Sequence, residues 1–158
     1  MLFRSETFAE ILSNSGRINE AIGLREEILK KRREKFGEED VDTIRVMGQL
    51  ADSYKELSCF NKALALEEKM LRTLRLLLEQ TEEVAEEVAS FVLPTMIKLE
   101  TSYSRMGRLE EVLKVQEEEF QILAVESDWS PANPDLSHTM QRLAISYSKL
   151  DRPEDAIR

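Results

Sequence analysis

Leu99-Glu100-Thr101-Ser102-Tyr103-Ser104-Arg105-Met106-Gly107-Arg108-Leu109-Glu110-Glu111-Val112 is the stretch whose reading decides the fold. Leu99, Tyr103, Gly107, Arg108 and Val112 set a frame that fits elsewhere in the chain. It falls on Phe8, Leu12, Gly16, Arg17 and Ala21, and on Leu50, Tyr54, Ser58, Cys59 and Ala63. It falls again on Leu143, Tyr147, Asp151, Arg152 and Ala156. Apolar residues four apart share a helix face, and glycine four further on accepts the left-handed backbone that ends a helix. The next small or apolar residue opens a second helix. Leu12, Tyr54, Tyr103 and Tyr147 are 42, 49 and 44 residues apart, the period of a helical repeat array.

Composition agrees. Of 158 residues, 42% are hydrophobic and 34% charged, with five Gly and four Pro, which suits long helices with solvated outer faces. The net charge of −9 disfavours nucleic acid and anionic membrane, both of which need clustered Lys and Arg. The single cysteine, Cys59, cannot close an intramolecular disulfide, and the single histidine, His138, leaves no metal-ligand spacing. The N-terminus lacks the apolar run of a signal peptide, and no apolar stretch is long enough to span a bilayer. The sequence therefore predicts a soluble, cytoplasmic chain.

Along the chain, a short first helix stops at Gly16, and a second begins at Arg17 or Asn19 and closes at Gly37. The acidic linker from Glu38 to Asp42 caps a third helix from Asp42 or Thr43. After the turn at Ser58 a long return helix carries Ala63, Leu64, Met70, Leu71, Leu74 and Leu77. Thr81 to Val92 reads as an added helix capped by Thr81, with Glu82, Glu83, Glu86 and Glu87 in its first half. Pro94 then marks a kink or a fresh start. After Gly107 an acidic return helix runs to a linker from Trp129 to Asp135, where Trp129 is expected to cover the core. The boundaries predicted within a single domain of residues 1–158 are 1–42, 43–92 with the added helix at 81–92, 93–135, and an incomplete 136–158. The last return helix is cut short after Ala156 and Ile157, which predicts a fragment of a longer array or a last helix supplied by another molecule.

The pattern Leu-Ala-x-x-Tyr at Leu50, Ala51, Tyr54 and at Leu143, Ala144, Tyr147, followed by Gly-Arg and a long return helix, resembles the tetratricopeptide repeat. Gly16-Arg17-Ile18-Asn19-Glu20-Ala21-Ile22, Arg32 to Glu39 and Ser146 to Leu150 are similar to repeats of the kinesin-light-chain type, as are the linkers Asp42-Thr43 and Asn133-Pro134-Asp135. The resemblance implies an all-α fold, a right-handed α-α superhelix (a TPR solenoid) of about three to four helix-turn-helix units. Ala51 and Ala144 are then the small residues that let paired helices approach. Glu100 takes that place in the third unit and predicts altered packing there.

The same resemblance implies a concave groove lined by the first helix of each unit. Its predicted positions are Arg45, Gly48, Asp52, Lys55 and Glu56; Ile97, Thr101, Ser104 and Arg105; and His138, Gln141, Ile145, Ser148 and Lys149. The kinesin-light-chain groove is rich in asparagine, whereas here the matching pairs are Gly48-Gln49, Ile97-Lys98 and Gln141-Arg142. The function expected is a non-catalytic scaffold that binds a peptide or partner helix in this groove. The alternative is the sensor or assembly region of a larger STAND-type signalling NTPase (NACHT or NB-ARC linked), with self-association between a basic end, Arg25 to Lys35, and an acidic end, Glu110 to Asp128. No cofactor, metal or catalytic site is expected. The glycines form no phosphate-cradling loop, and no nucleophile stands beside a base.

Overall fold

A computed structural model describes residues 2–80, 85–126 and 134–152, and all regular structure among them is helical. The helices are α1 (Leu2–Asn14), α2 (Ile18–Phe36), α3 (Val41–Glu56), α4 (Phe60–Gln80), α5 (Ala85–Arg105), α6 (Leu109–Glu126) and α7 (Pro134–Lys149). The chain divides into two compact units, Met1–Thr95 and Met96–Arg158.

One turn is built four times. Gly16, Ser58, Gly107 and Asp151 all have left-handed backbones, with φ of 79°, 58°, 71° and 57°. At each, the following residue donates its N–H to the carbonyl five back: Arg17 to Leu12, Cys59 to Tyr54, Arg108 to Tyr103 and Arg152 to Tyr147, at 2.8–2.9 Å. The left-handed residue itself donates three back, from Gly16 to Ser13, Ser58 to Lys55, Gly107 to Ser104 and Asp151 to Ser148. This pair of bonds is the Schellman closure, and it satisfies carbonyls that a helix end otherwise leaves orphaned. At the first three turns the same residue also starts the next helix, because the carbonyls of Arg17, Cys59 and Arg108 accept from Ala21, Ala63 and Val112.

In the first unit α1 packs on α2, α2 on α3 and α3 on α4. Ile28, Ile44, Met47 and Leu74 are buried there, each contributing about 1.5–3 kcal/mol by leaving water. Ala21, Ala51 and Ala63 are fully buried, small enough for helices to approach closely. Gly48 serves the same end: a Cβ on it would lie 3.2 Å from the Met70 methyl. It is a buried packing position and not part of an open groove. In the second unit α6 packs on α7, around Leu113, Leu136 and Leu143. Ala144 is exposed, unlike Ala51, and the residues after Arg152 lie outside the described ones.

The expected cap of α3 and the expected break at Pro94 are both corrected. The cap of α3 is Asp40, whose extended backbone lets its carboxylate accept the Thr43 N–H at 2.8 Å and the Thr43 hydroxyl at 2.9 Å. Asp42 stands inside the first turn instead and pairs with Arg45. The separate helix at 81–92 is not formed among the described residues, because 85–92 belong to α5, which runs unbroken through Pro94. Val88, Val92, Met96 and Leu99 make one buried stripe along α5, and burying it outweighs the roughly 3 kcal/mol an internal proline costs. Pro94 sits on the exposed side, where water can reach the freed carbonyl. Thr81 to Val84 and Trp129 lie outside the described residues.

The basic run on α2 is split: Arg25 and Arg32 are buried, whereas Lys30, Lys31 and Lys35 are exposed. Arg32 pairs with Glu6 at 2.7 Å, and Arg25 donates to the Ser53 hydroxyl. The acidic run on α6 is likewise engaged. Glu111 pairs with Arg108 at 2.7 Å, Glu117 accepts from Tyr147 at 2.5 Å and Glu119 is buried.

Candidate functional site

In the first unit the predicted groove residues lie on α3, and they divide by chemistry. Arg45 and Glu56 are exposed, with Arg45 paired to Asp42 and 3.9 Å from Glu87. Lys55 is turned inward, its side chain 20% exposed, with Nζ 2.7 Å from Glu67 and 3.1 Å from Asp52. The Glu67 side chain is 0% exposed. Burial alone lowers the Lys55 ammonium, but the hydrogen bond and charge of Glu67, with Asp52 behind them, hold it above its ordinary value. Lys55 is therefore engaged inward by Glu67, while Asp52, its second partner, keeps a side chain 44% exposed.

In the second unit the positions lie on α5 and α7 and are open. Thr101, Ser104 and Arg105 are exposed on α5, and His138, Gln141, Ser148 and Lys149 on α7. The Thr101 hydroxyl donates back to the Ile97 carbonyl at 3.0 Å. Ile97 and Ile145 stand 47% and 55% exposed on these faces, apolar surface that no intramolecular packing explains. Ser104, Ile145 and Lys149 come together around a cavity of about 190 Å³, with Leu109 and Val112 of α6 beside them.

Beneath that cavity lies a polar network. Arg142 of α7 donates to Glu100 of α5 and to both carboxylate oxygens of Glu119 of α6, the latter at 2.6 Å. Gln116 donates to Glu100 at 2.6 Å, and Thr139 to Glu119 at 3.2 Å. Glu100 therefore joins three helices through charge-assisted bonds where a small residue would have allowed close approach. Glu119 and Gln116 are not among the predicted groove positions, and Arg142 enters there only beside Gln141. For Gln116 the signal is periodic: Arg25, Glu67 and Gln116 occupy the same slot, eight residues after Arg17, Cys59 and Arg108, and all three are buried. A polar residue recurring inside an apolar stripe marks a buried, partnered group.

A second repeated bond links neighbouring helices. Tyr54 donates its hydroxyl to Glu26, and Tyr147 donates to Glu117, each acceptor nine residues after Arg17 or Arg108. Burial first, and then the hydrogen bond and charge of Glu26, push the Tyr54 phenol up to about 12.

Among the described residues no group of three or more His, Cys, Asp or Glu is placed to hold a metal ion. No described helix is long and apolar enough to cross a membrane. His138 and Cys59 are both exposed.

The sequence matches no known family model and no curated protein. Solved structures do resemble it. A Podosopora anserina protein described as a kinesin light chain with nearly identical TPR-like repeats is 17% identical, with a TM-score of 0.67 over 99% of this chain and 70% of its own. A variant of it gives 0.68 over 99% and 69%. BtubC (BKLC) from P. vanneervenii is 22% identical, with a TM-score of 0.69 over 98% of this chain and 58% of its own. The chain thus spans little more than half the length of BtubC. Its fold is the all-α tetratricopeptide-repeat solenoid of these kinesin-light-chain-like proteins.

Proposed function

We propose that this chain is a non-catalytic interaction scaffold that takes a peptide or partner helix along the exposed faces of α5 and α7. The observation that carries the reading is the cavity bounded by Ser104, Ile145 and Lys149, beside exposed Ile145 and above a buried ionic floor. Exposed Ile145, with Gln141 and Ser148 one turn away along α7 and Thr101 and Arg105 exposed on α5, has the chemistry of a peptide groove: one burying contact for affinity and polar neighbours for register. On α3, Arg45, Asp52 and Glu56 offer exposed side chains to a partner.

The test is to select binders from a displayed peptide library on the whole chain, and then to measure the selected peptides against Ile145→Asp and Lys149→Glu. Both side chains are exposed, so both variants should fold. Loss of binding in both is expected. Peptides that bind both variants as they bind the parent chain would place the site elsewhere.

A further inference from the structure

We propose that the unit Met1–Thr95 carries a second docking site, a pocket between α2, α3 and α4 that receives an apolar side chain of an acidic peptide. Buried Leu29, Leu50 and Tyr54 form its floor, with Ala65 and Leu66 as a wall, around a cavity of about 480 Å³. That volume lies in the range of ligand pockets and accommodates an aromatic side chain.

The rim decides the occupant. Lys30, Arg33 and Lys62 stand around the opening against Glu26 and Glu34. Glu26 is engaged by the Tyr54 hydroxyl, and Arg33 lies 3.3 Å from Glu38. The Lys62 ammonium sits 5.1 Å from the centre of the Tyr54 ring. Neither Lys62 nor Lys30 has a carboxylate partner among the described residues. Two ammoniums without a carboxylate partner beside an apolar floor, with Glu34 the one acid at the rim that has neither a side-chain hydrogen bond nor an ion pair among the described residues, favour a ligand whose carboxylates flank an apolar side chain. A basic segment would meet both lysines unfavourably.

The site is separate from the predicted groove. At about 100° per residue, Leu50 and Tyr54 project from the side of α3 opposite Arg45, Asp52 and Glu56. It also involves none of the residues on α5 and α7, so it stands whether or not the groove reading does.

The probe is a short fluorescent peptide of glutamates around one central phenylalanine, titrated against the whole chain by anisotropy. One control peptide carries serine for phenylalanine, and another lysines for the glutamates. Saturable binding of the first peptide alone is expected. Lys30→Glu with Lys62→Glu should weaken it at least about tenfold, because attraction becomes repulsion at two points. Ala65→Trp, which fills the pocket, should weaken it to a similar degree, while Ile145→Asp leaves it unchanged. Absence of saturable binding, equal binding of all three peptides, or undiminished binding to the lysine double variant would overturn the proposal. The double variant changes only exposed side chains, so its melting curve separates lost binding from lost folding.

Discussion

The guanidinium of Arg108 lies 4.7 Å from the centre of the Tyr103 ring, across the turn that joins α5 to α6. The two residues are also joined by the backbone bond that closes that turn. Arg152 stands over Tyr147 at 5.8 Å in the same relation. Where Cys59 replaces the arginine, Lys62 reaches the Tyr54 ring from one helical turn further on. A Schellman turn ordinarily carries an apolar contact between these positions, and here a cation over an aromatic face does that work. Arg108→Ala should cost about 0.5–1 kcal/mol in urea unfolding, and Arg108→Lys less. An unchanged midpoint would show that the ring contact adds nothing to the turn.

Ser58 holds a left-handed backbone without being glycine. Relief of that strain exceeds the added freedom of the unfolded chain, so Ser58→Gly should stabilise by about 0.5–1 kcal/mol. The reverse change, Gly107→Ala, should destabilise by about 1–2 kcal/mol. A Cβ there meets nothing within 4 Å, so the loss would be conformational and not steric. Chemical denaturation of both variants checks the pair.

Lys55→Met takes the ammonium at 2.7 Å away from the fully buried Glu67 carboxylate. The expected loss is about 3–5 kcal/mol. Adding Glu67→Leu removes the buried charge and should recover most of that loss. A double variant no more stable than Lys55→Met would mean that the loss does not come from the buried Glu67 charge.

Glu100→Ala restores the small residue found at Ala51 and Ala144, yet it should destabilise, by about 1–3 kcal/mol. It removes one carboxylate from Arg142 and the acceptor of Gln116. A gain in melting temperature would instead mean that desolvating Glu100 costs more than its bonds return.

Tyr54 offers a pH dependence of known sign. Its phenol ionises at about 12 in the fold, against an ordinary value of 10. The associated stability is fully present below pH 10 and is lost as pH rises through 12. Tyrosinate absorbance should show a late step that Tyr54→Phe abolishes. Ionisation of every tyrosine near pH 10 would rule out the Glu26 bond as a native contact.

The turns were legible because the backbone demands them: a left-handed residue at a fixed distance from an apolar pair leaves little choice of structure. The helix through Pro94 was not, since local chemistry favours a break and only the stripe from Val88 to Leu99 overrides it. Asp40 was passed over for Asp42 although both can cap, because the choice rests on which backbone is extended. Of the predicted groove residues, those on α5 and α7 are open while Lys55 is inward, and their sequence contexts do not differ enough to tell them apart. Arg142, Glu100 and Glu119 meet from helices remote in sequence, so no local pattern announces their pairing.

Each turn closes on hydrogen bonds among its own residues, whatever the length of helix leading to it. Consecutive turns can therefore stand 42 or 49 residues apart without any change in how they close. Such a joint tolerates insertion between copies and heavy substitution outside its frame. That tolerance accounts for a common architecture shared with proteins only 17–22% identical, and it makes the turn the natural point at which to splice repeats of this kind together.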